Sequence, residues 1–106
     1  MNSNIATIDL DFVTNITHKI VAMIDAKHQT QIKAITTEIQ TKLQDIVDHD
    51  IIHMSPITLN TEFIGISNLV RQLVYLTDFQ AGAEELALDL EIGFNDIIAE
   101  ICSKKE

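Results

Sequence analysis

Apolar side chains recur along most of this chain at the three- and four-residue intervals of a helix. Phe12, Val13, Ile16, Ile20, Met23 and Ile24 form one stripe, which predicts a helix over residues 9–27. Ile32, Ile35, Ile39, Leu43, Ile46 and Val47 form a second, over residues 31–50. Turning ~100° per residue sets the two stripes about a third of a turn apart. A regular heptad supercoil drifts more slowly and in the opposite sense. The spacing therefore predicts a break in the polar stretch 25–31, against the rival of one long helix that changes partners along its length.

Ser55-Pro56 is the clearest punctuation. Serine caps a helix N-terminus, and proline suits the first helical position, where its missing N–H would be unpaired anyway. The third helix is predicted to begin there or at Asn60-Thr61. Its apolar arc is Leu59, Phe63, Ile66, Leu69, Val70, Leu73, Val74 and Leu76. Gly82 fits the left-handed position just past a helix end. A last helix then runs over residues 83–102 on Leu86, Leu90, Phe94, Ile97, Ile98 and Ile101. Lys104 and Lys105 follow where positive charge suits a helix C-terminus. Glycine occurs only at 65, 82 and 93 and proline only at 56, too few for the regular turns of an all-β domain. The expected fold is all-α: one domain spanning residues 1–106, a small antiparallel bundle of three to four helices, closed by itself or completed by a second copy.

Composition narrows the picture. Aromatic residues are 5% of the chain, with no tryptophan and a single Tyr75, so aliphatic residues are expected to fill the core. The formal net charge is −9. Direct nucleic-acid binding and adsorption to an anionic membrane both need Lys and Arg, and 7 basic against 16 acidic residues argue against each. A basic protein partner is favoured instead. One cysteine permits no internal disulfide, in keeping with a reducing cytoplasm. A secretory signal and a membrane span are not expected, because no basic start leads into an apolar run and no apolar stretch approaches ~20 residues.

Candidate chemistry is thin. Asp45, His49 and His53 fall at i, i+4, i+8, and two histidines one turn apart can share a metal. The outer two lie two turns apart, ~12 Å along the axis, so solvated residues at a helix end are the simpler reading. No metal site and no cofactor are expected. Cys102 has no neighbouring base in the sequence and reads as a small core residue. There is no phosphate-binding glycine loop, no HExxH and no GxSxG elbow. The chain is read as non-enzymatic.

The acidic C-terminal part carries the most information. Residues from 57 onward sum to −6 and those before it to −3, with no basic residue between Arg71 and Lys104. On a helical wheel Glu85, Asp89, Asp96 and Glu100 share one face, away from the apolar stripe. Glu84 and Glu91 flank that stripe on the other side, and Leu88, Ile92 and Ala99 lie between the two acidic strips. Like charges at i, i+4 weaken a helix slightly, and an ordinary solubilising face would look the same.

Three roles follow. The first is a protein-interaction module (an adaptor, chaperone or inhibitor) that meets a basic partner through Glu84, Glu85, Leu88, Asp89, Glu91, Ile92, Asp96 and Glu100, with Tyr75 as a further anchor. The second is an inhibitor from a phage or mobile element whose carboxylates imitate phosphates and block a nucleic-acid-binding defence protein, an anti-restriction or anti-CRISPR type. Glu85, Asp89, Asp96 and Glu100 rise along the helix by ~6, ~10 and ~6 Å, which is compatible with such mimicry. The third is a structural helical subunit of a homo-oligomer. A homodimer is expected from aliphatic residues off the main stripes, among them Ile51 and Ile52.

Overall fold

The computed structural model describes residues 10–48 and 54–104, with the side chain of Lys104 left aside. Four helices in order make up the fold: α1 (Asp11–Val21), α2 (Gln29–Asp48), α3 (Pro56–Leu76) and α4 (Ala81–Lys104). A 3-10 turn, Ala26–His28, precedes α2, and no strand occurs among the described residues. The all-α bundle expected from the spacing is what forms.

The break between the first two stripes is real and begins earlier than the polar stretch alone suggests. Helix α1 stops at Val21, and Asp25 adopts an extended conformation with ψ 141°. Its Oδ1 accepts a hydrogen bond from the Lys27 amide at 2.9 Å, so a short acid caps the start of the 3-10 turn that follows the break, with no glycine or proline involved. One long helix is thereby excluded. Helix α3 starts at the first of its two candidate positions: Ser55 Oγ accepts from the Thr58 amide at 3.0 Å, with Pro56 directly after it.

The α3–α4 turn corrects the expectation for Gly82. The amide of Phe79 reaches the Val74 carbonyl (3.3 Å) and that of Asp78 the Tyr75 carbonyl (3.1 Å). This is the paired closure of a Schellman ending, and its left-handed position belongs to Asp78, at φ 61°. Asp tolerates that conformation better than most residues. The left-handed position therefore falls four residues before Gly82, which instead sits in the first turn of α4. The Gln80 carbonyl accepts from the Ala83 and Glu84 amides and opens that helix.

Helix α3 occupies the middle, packed against α2, α4 and part of α1, while α1 lies chiefly on α4. The four-residue turn makes α3 and α4 an antiparallel hairpin. Val13, Ile20, Leu59, Phe63, Ile66, Val70, Leu73, Leu90 and Ile101 are buried at its centre. The aliphatic core expected from composition has an aromatic heart: Phe63 and Phe94 stack with centroids 4.0 Å apart, and Phe12 meets Phe94 edge-on at 5.6 Å. Ala83 and Ala87 join the buried stripe of α4, while Leu86 and Ile98 are only partly covered. Helix α2 is the most lightly packed, burying only Ile39 and Ile46 and leaving Val47 exposed. The two buried hydroxyls, of Thr17 and Thr77, bond back to the Val13 and Val74 carbonyls at 2.7 and 2.6 Å.

Candidate interaction surface

Helix α4 commits Ala83, Ala87, Leu90, Phe94, Ile97 and Ile101 to the core, a row at successive three- and four-residue steps. Leu88 and Ile92 therefore point away from it, and they are 51% and 57% exposed. Neither is buried against another helix of the described residues. Ala99 is exposed on the same strip, and Glu85, Asp89 and Asp96 line its outer side, all exposed and without an ion-pair partner among the described residues. Glu100 is exposed too but already engaged within the chain.

On the other side the two acids divide. Glu84 is exposed. Glu91 is half-buried, and its Oε2 accepts from Nε and Nη2 of Arg71 at 3.1 and 2.9 Å. The sequence groups Glu91 with the solvent-facing rim; the structure turns its carboxylate onto α3. A wheel of α4 gives the direction of that side chain but not the cation waiting there. The ion pair separates two grooves along the α3–α4 seam. One, of about 340 Å³, is lined by Asn60, Ile64, Asn68, Glu91 and Asn95 among others. The second, of about 390 Å³, lies toward the turn and is lined by Asn68, Arg71, Gln72, Val74, Tyr75, Phe79 and Glu84.

Six of the large apolar residues exposed among the described ones lie on α3, on α4 or in the turn between them: Ile57, Ile64, Tyr75, Phe79, Leu88 and Ile92. Ile57 and Ile64 fall off the apolar arc of α3, so their exposure was readable from the spacing. Phe79 carries no periodic signal, because it stands in a turn. It and Tyr75 make an edge-to-face pair with centroids 5.2 Å apart.

The remaining candidates do not gather. His49 and His53 lie outside the described residues, and the described ones contain no group of three metal-ligating side chains. Ile51 and Ile52 also fall outside. Cys102 is exposed near the end of α4, not a core residue, because Ile101 takes the inward position beside it. No described helix is long and apolar enough to cross a membrane. The chain matches no protein-family model, no curated protein and no solved structure.

Proposed function

We propose that this protein is a non-enzymatic interaction module that binds a basic partner protein through the outward face of α4. The supporting observation is the exposure of Leu88 and Ile92 in a strip edged by Glu85, Asp89 and Asp96. Carboxylates around an apolar centre suit a partner whose own contact is apolar at its middle and cationic at its rim. Such acids act mainly on encounter, and the apolar pair on residence. Two exposed aliphatic anchors favour this reading over mimicry of nucleic acid, which needs the charges most. Inhibition of a defence protein would be one use of the same surface.

The test begins with affinity capture on the full chain and purification of the retained protein. Leu88→Ala with Ile92→Ala should then speed its dissociation, and Glu85→Gln, Asp89→Asn and Asp96→Asn together should slow association and flatten its salt dependence. Circular dichroism should show both variants folded. An acidic partner, or kinetics unchanged in both variants, would put the contact elsewhere and refute the proposal.

A further inference from the structure

We infer that the groove beside the α3–α4 turn, built by Tyr75, Phe79 and Glu84, receives an arginine side chain of the basic partner; this rests on the interaction reading above.

The first observation is Phe79 itself. A Schellman ending needs a left-handed residue only at the position held by Asp78. Phe79 nevertheless follows it with φ 59°, a conformation that is an outlier for a bulky residue. Burial does not compensate, because Phe79 is 56% exposed and its partner Tyr75 is 65% exposed. Glycine at this position would relieve the backbone and remove an exposed ring. Two solvent-facing rings held edge-to-face, one on a strained backbone, make a ready surface for a flat cation.

The second observation is charge. Arg71 and Glu84 are the ionic side chains that line this groove, and Arg71 pairs with Glu91. Glu91 neutralises Arg71 through two hydrogen bonds to one oxygen, which leaves the Glu84 carboxylate uncompensated. A guanidinium laid against the rings reaches a carboxylate able to accept both of its parallel N–H groups. A second copy of this chain fits less well, since it would bring one net charge of −9 against another.

Tyr75 is the only tyrosine and the chain has no tryptophan, so its fluorescence reports on this groove alone. The probe is a helical peptide of leucine and arginine without aromatic residues, with a counterpart carrying neutral citrulline for every arginine. The full chain should show a saturable change in Tyr75 emission with the arginine peptide and little with the citrulline one. Phe79→Gly and Glu84→Gln should each weaken binding about fivefold, the factor that ~1 kcal/mol is worth. Phe79→Gly should melt no lower than the parent, so lost binding cannot be lost folding. Equal response to the citrulline peptide would make the groove merely apolar and overturn the inference. A change in Tyr75 emission with protein concentration alone would assign the groove to a second copy and overturn it as well. Binding seen by calorimetry and weakened by Leu88→Ala with Ile92→Ala, but silent at Tyr75, would refute this inference and leave the α4 reading standing. No binding of the arginine peptide would count against both.

Discussion

At the scale of single residues, two backbone positions set how closely the helices meet and how they end. Gly93 of α4 faces the Phe12 ring: a Cβ built there would lie 2.6 Å from Cε2 and 3.0 Å from Cζ. The ring is held in turn by its edge contact with Phe94, so it cannot withdraw without disturbing the aromatic centre. Gly93→Ala should therefore destabilise the fold by ~1–3 kcal/mol, as overpacking does. Each kcal/mol lowers the melting temperature of a domain near this size by roughly 4–8 °C. An unchanged melting curve would show that α1 is free to shift. Asp78 offers the opposite case. Glycine has no Cβ to clash at φ 61°, and relief of that clash outweighs the extra chain freedom glycine gives up, so Asp78→Gly should stabilise by ~0.5–1 kcal/mol in chemical denaturation. A loss of stability would mean that the Asp78 side chain contributes more than its backbone costs. Neither position was legible in the sequence. Gly93 is a scarce residue in an apolar helix until Phe12 is placed across from it, and Asp78 carries no mark to distinguish it from the nearby glycine that the turn rules prefer.

At the scale of elements, the helices were legible because burial imposes a period, while their ends depended on single side chains. Ser55-Pro56 reads correctly because two independent preferences coincide there. Ser55→Ala should cost ~1 kcal/mol, the worth of a capped amide; a denaturation midpoint that does not move would mean Pro56 alone fixes the start. The break after α1 was expected from the angle between two stripes, but the role of Asp25 in it was not, since an acid capping a 3-10 turn looks like any polar residue. The exposed strip of α4 was visible too, because a wheel separates what faces inward from what cannot. Which acids remain uncompensated was not visible, for that depends on the neighbouring helix. Arg71 and Glu91 are 20 residues apart in the chain and meet only because α3 and α4 fold back on each other. Their side chains are 45% and 36% exposed. A double-mutant cycle on the pair should accordingly give less than ~1 kcal/mol of coupling, with most of it lost in high salt. Strong, salt-insensitive coupling would mark the pair as a clasp between the helices instead.

At the scale of the whole molecule, a narrow bundle of 48 × 24 × 22 Å carries a formal charge of −9, and α4 holds much of it along one edge. Glu85 and Asp89 are one turn apart, Asp96 is two turns further on, and no described cation pairs with any of them. Neighbouring like charges at i, i+4 oppose helix formation by ~0.2–0.5 kcal/mol per pair. If that repulsion is a cost carried for binding, it should be measurable in the unbound protein. Converting Glu85 and Asp89 to amides, with Asp96→Asn, should raise the melting temperature at low salt by a few degrees. At physiological ionic strength charges are still felt over ~8 Å, and at 1 M over ~3 Å. The advantage of the neutralised variant should therefore shrink as salt is added, with the parent gaining stability and the variant changing little. That convergence is common to both origins of the acidic edge, and association with the partner separates them. A face kept only for solubility would show the same convergence, but its neutralisation would leave association with the captured partner intact. A face kept for binding would become more stable and slower to associate in the same variant. If neutralisation lowers the melting temperature instead, these carboxylates are bonded within the fold, and the negative edge would have to be reassigned from recognition to structure.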